Sequence, residues 1–263
     1  MQLKDKKVVL TGGLGGIGQA LAKKLREAGA EVLIIDRAPG DNVLQADLGD
    51  DKALDDVCAR LAHEPVDILI NLAGLMYFGH LQDQDPGHIG AMMRINLEVP
   101  VRLAQAVLPG MKARGSGQIV NIGSMTGLVP LPYYGCYVAT KAGLKGFSDS
   151  LRRELWGQNI AVTHISPRAV RTGMNGGAIA VFNERTHISL DEPDKIAERM
   201  FRAIVRKEKD VRIGLPENFY AVMSFLFPGI VDRGLETHRR IGREVLAQFN
   251  DRKEAPAQKS MAA

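Results

Sequence analysis

The sequence predicts an α/β fold built on a doubly wound parallel sheet, and three observations predict it. Short runs rich in β-branched residues alternate with longer helical ones, the short runs are apolar throughout, and the loops between them are brief. Strict alternation would mark a sheet wet on one face. Continuous apolar runs mark strands covered by helices on both faces, in three layers. The 263 residues, 45% hydrophobic, suffice for one large domain, and no linker-like stretch or repeat divides them.

Lys7 to Thr11 (KVVLT) and Glu31 to Asp36 (EVLIID) read as strands flanking a helix from Ile17 to Ala28, which Gly29 ends. Val43 to Ala46 reads as a short third strand, Asp51 to Ala62 as a helix, and Val66 to Asn71 (VDILIN) as a fourth strand. Pro86 suits the first turn of a long helical region reaching Arg114, with a break near Asn96. Gln118 to Ile122 is the fifth strand, Gly135 to Trp156 a helix, and Ile160 to Ile165 (IAVTHI) the sixth strand. Asp191 to Lys207 reads as a helix and Val211 to Ile213 as a last short strand. A C-terminal helical extension follows; the single domain is expected to run over 1–250, and the polar or small residues 251–263 to fray.

Composition removes several functions. A net charge of +4 without a long Lys/Arg block argues against nucleic acid, and Arg202 to Lys209 and His238 to Arg243 read as solvated helix faces. Two distant cysteines, Cys58 and Cys136, fit neither a disulfide scaffold nor a zinc site, and suit a reducing cytoplasm. No metal site is expected. The polar N-terminus does not read as a signal peptide, and no apolar run is long enough to span a bilayer.

Thr11-Gly12-Gly13-Leu14-Gly15-Gly16-Ile17-Gly18 falls between the first strand and the first helix. Glycines there let the backbone turn sharply and approach a pyrophosphate, which the free N–H groups of the helix N-terminus would hold. Asp36, ending the second strand, could accept both hydroxyls of an adenosine ribose and would repel a 2′-phosphate. This favours NAD over NADP, although Arg37 next door could hold a phosphate instead. Tyr137 and Lys141 lie four residues apart on a helix, hence on one face, thirteen positions after Ser124. A nearby ammonium is expected to lower the tyrosine pKa from about 10, as a phenol acting as general acid/base requires.

Taken together, these motifs resemble the classical short-chain dehydrogenase/reductase family from about Lys4 to Ile213, which implies a Rossmann-type sheet and a hydride-transferring oxidoreductase. Thr11 to Gly18 resembles the family's nucleotide turn, so Gly12, Leu14, Gly16, Ile17 and Gly18 are expected to bind the cofactor. Asp47-Leu48 resembles the pair flanking the adenine, and Asn71-Leu72-Ala73-Gly74 the family's Asn-Asn-Ala-Gly, making Asn71, Ala73 and Gly74 cofactor positions. Asn96, Ser124, Tyr137 and Lys141 match the catalytic positions in order and spacing. The resemblance gives Tyr137 the proton transfer and Ser124 the orientation of the substrate oxygen. Lys141 would bind the ribose, and Asn96 would hold a water linked to Lys141. Pro167, Val170 and Thr172 fall in the segment over the nicotinamide, where Arg168 replaces the family's glycine; Arg168 or Arg171 could contact phosphate or an anionic substrate.

Met125 to Tyr134 and Met174 to Phe182, the latter read as a mobile lid, are apolar and favour a hydrophobic alcohol or ketone. Phe219 to Val231 is the most apolar late stretch, read first as a buried helix near the pocket, then as an oligomer contact or a membrane-touching patch. The family's pairing of helices between subunits implies a homodimer or homotetramer. A 3-oxoacyl thioester reductase using NADP and a non-catalytic NAD sensor remain as rivals. The complete Ser124-Tyr137-Lys141 set argues against the sensor.

Overall fold

The computed structural model describes residues 2–254. Seven parallel strands form one sheet: β1 Lys7–Thr11, β2 Glu31–Asp36, β3 Val43–Gln45, β4 Ile68–Asn71, β5 Gly117–Ile122, β6 Ile160–Ser166 and β7 Asp210–Arg212. Their order, β3-β2-β1-β4-β5-β6-β7, runs outward in both directions from β1. The chain therefore reverses its winding between β1 and β4, leaving a crevice beyond the carboxyl ends of these two strands. The predicted α/β/α fold is present. Strand bounds shift by a residue or two, most at β4, which begins at Ile68 rather than Val66.

The central strands are apolar on both sides because each side has its own helical layer. Val8 and Leu10 of β1, Ile68 and Ile70 of β4, and Val120 and Ile122 of β5 pack with α1 (Gly16–Glu27) and α7 (Pro193–Val205). Val9, Leu69 and Ile119, one position out of phase, pack with α2 (Asp51–His63), α4 (Val99–Arg114) and α5 (Gly135–Glu154). Asp50 caps α2 by accepting from the Ala53 N–H at 2.8 Å.

The break predicted near Asn96 is a π-helical turn, Arg94–Glu98, between α3 (Pro86–Met93) and α4. The lid segment departs from a loop. It contains a tight turn, Gly173–Asn175, and then α6 (Ala178–Arg185), whose Phe182 is fully buried.

Phe219 to Val231 is not one buried helix. It divides into α8 (Leu215–Leu226) and α9 (Pro228–Gly234), broken at Phe227-Pro228 because proline cannot extend the preceding turn. Phe225 is 86% exposed and Phe219 65%, whereas Ala221 and Val231 are buried. Among the described residues no helix is long and apolar enough to cross a membrane. The last helix, α10 (Glu236–Glu254), runs past residue 250; the rest of the tail expected to fray lies outside the described residues.

A third apolar cluster joins this extension to the site. Phe78, Tyr134, Phe182, Ile241 and Val245 pack together, with Phe182 4.8 Å from Phe78 ring to ring. Tyr133 is held at φ 72, a conformation that bulky residues rarely adopt, with its hydroxyl donating to the Arg239 carbonyl at 2.6 Å. Its ring lies against Gly242, where a Cβ would fall 2.3 Å from Tyr133 Cε2.

Candidate active site

The glycine loop after β1 is shaped by contacts that no side chain would permit. Gly12 sits at φ 68, and a Cβ there would lie 2.8 Å from the Ala73 Cα. At Gly18 a Cβ would lie 2.3 Å from the Gly12 carbonyl oxygen, so this glycine lets α1 start directly above the turn. The N-terminus of α1 has no side-chain cap and no acid in its first turn. Its N–H groups and positive dipole end are thus open to an anion. Across the gap, Thr172 Cγ2 stands 3.1 Å from where a Cβ on Gly16 would be.

Asp36 closes the loop from the second strand. One carboxylate oxygen accepts from the Leu14 N–H at 3.1 Å and the other from the Ala38 N–H at 3.2 Å. Each oxygen keeps a further lone pair for a sugar hydroxyl. Arg37 is exposed. Asp47 is also exposed, its carboxylate accepting from the Gly49 N–H at 2.8 Å, whereas Leu48 is buried in the core under α2.

Thr11 ties the two central strands together. Its hydroxyl oxygen accepts from the N–H groups of both Leu72 and Ala73, at 3.1 Å each. Asn71 is buried and donates to Asn121 at 2.8 Å, and Asn121 donates to Ser148 at 2.9 Å. Ser148 gives its single proton to the Leu144 carbonyl at 2.7 Å. The 3.0 Å contact to His164 therefore has Nδ1–H as donor. Burial holds His164 down to about 3, so this ring is neutral. Asn71 thus belongs to a buried polar chain beneath the site.

Helix α5 carries both Tyr137 and Lys141. Its buried face holds Tyr137, Lys141, Leu144, Ser148 and Leu151, spaced four, three, four and three residues apart, with Thr140 beside them. A phenol, an ammonium and a hydroxyl thus occupy positions that an ordinary helix gives to aliphatic residues. Lys141 Nζ donates to the Ile122 carbonyl at 2.9 Å, leaving two of its three protons, and lies 5.8 Å from the Tyr137 ring centre. Ser124 caps the tight turn Met125–Gly127, accepting from the Thr126 N–H at 3.2 Å. At Gly127 a Cβ would fall 3.0 Å from the Lys141 carbonyl carbon, so this turn packs directly on α5 and sets Ser124 against Tyr137.

The expected depression of the tyrosine pKa is not found. Burial pushes Tyr137 up to about 12, against the Ser124 hydroxyl acting in the opposite sense, and pulls Lys141 down to about 8. Desolvation dominates both shifts, because each charged form loses water on burial.

Asn96 lies behind the wall rather than on it. It accepts from the Leu75 N–H at 2.8 Å and donates to the Leu75 carbonyl at 2.8 Å and the Thr140 hydroxyl at 3.0 Å. Only one lone pair of its oxygen remains for the water expected of it. A Cβ on Gly74 would lie 3.2 Å from Asn96 Oδ1 and 3.7 Å from Lys141 Nζ, so Gly74 keeps the space between them open.

One cavity of about 490 Å³ is shared by some of these parts. Ile17, Gly74, Pro167, Val170 and Thr172 border it beside Ser124, Tyr137 and Lys141. The glycine loop, Asp36, Asp47, Asn71 and Ala73 stand outside its wall. Both arginines are paired with acids, and Arg168 also borders the cavity. Arg168 grips Asp191 in two hydrogen bonds of 2.7 and 2.8 Å, and Arg171 pairs with Glu192 at 2.8 Å. The Asp191 carboxylate is held below its usual range by Arg168.

Sequence reasoning missed Asn183, Leu235 and His238, which also border the cavity. His238 was expected on a solvated face, yet it is half-buried with its ring 6.1 Å from Phe182. Its adjacency to Arg239 and Arg240 hides the helical phase that turns it inward.

A parallel sheet with a nucleotide loop at its switch point and a Ser-Tyr-Lys set beside it defines a dinucleotide-dependent oxidoreductase. Residues 6–180 match the family model described as short chain dehydrogenase, and the chain belongs to that family, acting on CH–OH groups. It is similar to zebrafish (Danio rerio) dehydrogenase/reductase SDR family member 7B, 30% identical over 268 residues covering 90% of this chain and 87% of the relative. Among solved structures it resembles a short-chain dehydrogenase from Sphingobium yanoikuyae in complex with NADPH. The TM-score is 0.74 at 27% identity, over 86% of this chain and 95% of that one. It also resembles the bulky-bulky ketone specific alcohol dehydrogenase from Comamonas testosteroni. There the TM-score is 0.71 at 25% identity, over 100% of this chain and 98% of that one.

Proposed function

We propose that this protein interconverts a hydrophobic secondary alcohol and its ketone using NAD, with NADP as the second cofactor, and with Tyr137 as general acid/base. The observation carrying this reading is that Ser124, Tyr137 and Lys141 share one cavity with Ile17, Gly74 and Thr172 at the mouth of the glycine loop. The fit to a dinucleotide rests on the uncapped N-terminus of α1 for the pyrophosphate and the spare lone pairs of Asp36 for the ribose. Gly12, Leu14, Gly16, Ile17 and Gly18 would hold the phosphates, Asp47 and Leu48 the adenine side. Ala73, Gly74, Pro167, Val170 and Thr172 would hold the nicotinamide side, over the buried polar chain that starts at Asn71.

When bound, the nicotinamide supplies or accepts the hydride. In reduction, the Tyr137 phenol gives its proton to the substrate oxygen. The Ser124 hydroxyl donates to that same oxygen and stabilises the charge growing on it. Lys141 holds a positive charge beside the phenol, favouring phenolate once the proton has left, and keeps two N–H groups for the ribose. Asn96 positions the loop after β4 against α5 through Leu75 and Thr140. An apolar wall of Met125, Val129, Leu131 and Tyr134 favours a hydrophobic substrate, and the similarity to a bulky-bulky ketone enzyme points the same way. Asp36 supports NAD, and exposed Arg37 leaves NADP open, the cofactor form bound in the Sphingobium relative. This reading includes a cytoplasmic homodimer or homotetramer, measurable by light scattering.

The test is absorbance at the reduced-nicotinamide band, with NADH and NADPH, across a panel of ketones. Turnover is expected, with Tyr137→Phe abolishing it yet binding nicotinamide nucleotide as the wild type does. Wild-type activity in Tyr137→Phe would overturn the assignment.

A further inference from the structure

Two polar side chains of the cavity wall carry buried atoms without a partner, and the Ser-Tyr-Lys chemistry uses neither. Asn183 of α6 is 3% exposed and its Nδ2 is buried without a hydrogen-bond partner. His238 of α10 is half-buried and its Nδ1 is likewise buried and unpartnered. Both border the same cavity, among Val129, Leu131, Tyr134 and Ile188. A buried donor or acceptor left unsatisfied costs on the order of 1–3 kcal/mol, so a pair of them in one apolar wall needs an explanation. Packing alone would be served better by leucine or phenylalanine at both positions.

We propose that Asn183 and His238 form a polar recognition point for a second oxygen on the substrate, remote from the reacting carbonyl. The inference rests on the reading of the cavity as a ketone site and names its substrate class: a hydrophobic ketone or secondary alcohol with a distal hydroxyl or carbonyl. The spacing supports a distal contact. From Tyr137 a chain of ring contacts runs 6.5 Å to Tyr134, 6.3 Å to Phe182 behind the wall and 6.1 Å on to His238. The two groups suit an oxygen ligand. An amide offers a donor or an acceptor after rotation about its last torsion, and so does a neutral imidazole. Burial holds the His238 pKa below its ordinary value, keeping the ring neutral with one donor and one acceptor nitrogen.

The experiment compares methyl n-alkyl ketones, stepped in chain length, with their ω-hydroxy counterparts, for wild type, Asn183→Leu and His238→Phe. At one chain length the wild type should prefer the hydroxylated ketone by about tenfold in kcat/KM, the worth of one buried hydrogen bond. Each variant should bring that ratio close to one. Equal handling of both series by the wild type, or a preference that persists in both variants, overturns the proposal. Circular dichroism confirms that each variant is folded, and the two substitutions lie on different helices. Should no ketone be turned over, the proposed function fails by itself. Calorimetric binding of the same matched pairs then decides the recognition point, equal affinities for wild type and variants overturning it.

Discussion

Replacing Lys141 with methionine should stabilise the protein while removing its activity. The ammonium is buried at 5% exposure, and burial lowers its pKa from the ordinary 10.5 to about 8. The gap is 2.5 (10.5 − 8), and at about 1.4 kcal/mol per pH unit the charged form costs the fold roughly 3 kcal/mol near neutrality. Methionine forfeits the hydrogen bond to the Ile122 carbonyl, about 1 kcal/mol, so a net gain of roughly 2 kcal/mol remains. For a domain of this size that is a rise in Tm of about 4–8 °C. The sign with pH is distinctive. Between about 8 and 10.5 the unfolded lysine still binds a proton that the folded one has released, so wild-type stability from this group rises across that window. The advantage of Lys141→Met should therefore be largest below pH 8 and fade above it. Thermal unfolding of both proteins from pH 7 to 10 reads this directly. A variant less stable than wild type at pH 7, with a difference flat in pH, would refute the reasoning.

Three further outcomes follow from the geometry. Gly18→Ala places a methyl 2.3 Å from the Gly12 carbonyl oxygen; it should abolish nucleotide binding in calorimetry and lower stability by several kcal/mol. Arg168→Met leaves the Asp191 carboxylate buried without its bidentate partner and should destabilise by about 3 kcal/mol in denaturant melts near neutrality. Because Asp191 is held below its ordinary 3.8, that contribution is present above that pH and lost as pH falls through the folded value. Asn96→Ala removes three hydrogen bonds between Leu75 and Thr140; it should lower kcat about tenfold or more and stability by roughly 2–4 kcal/mol, measured by steady-state kinetics and urea unfolding.

The layers of the fold were legible because the central strands are largely apolar on both faces and alternate with helical segments. The expected Ser-Tyr-Lys set was legible for a related reason: Ser124, Tyr137 and Lys141 keep fixed spacing within one turn and one helix, and Gly127 lets that turn pack closely on the helix. Three things were hidden. Phe219 to Val231 reads as core because composition does not show that Pro228 breaks it and turns its aromatic residues outward. His238 reads as surface because its neighbours are arginines. Nor does spacing reveal solvation: the Tyr137–Lys141 adjacency predicts a lowered phenol pKa, and only three-dimensional burial reverses the sign.

The Thr11 hydroxyl, holding two amide hydrogens from the loop beyond β4, has a consequence for how the crevice opens. Leu72 and Ala73 lie outside any strand, where amide hydrogens ordinarily exchange with solvent quickly. Here a parting of the tips of β1 and β4 would release them, and it would also move Gly12 off Ala73. The two amides should exchange as slowly as those of the flanking strands, and together. Their common rate is then a clock for the floor of the nucleotide crevice, readable without any ligand or turnover.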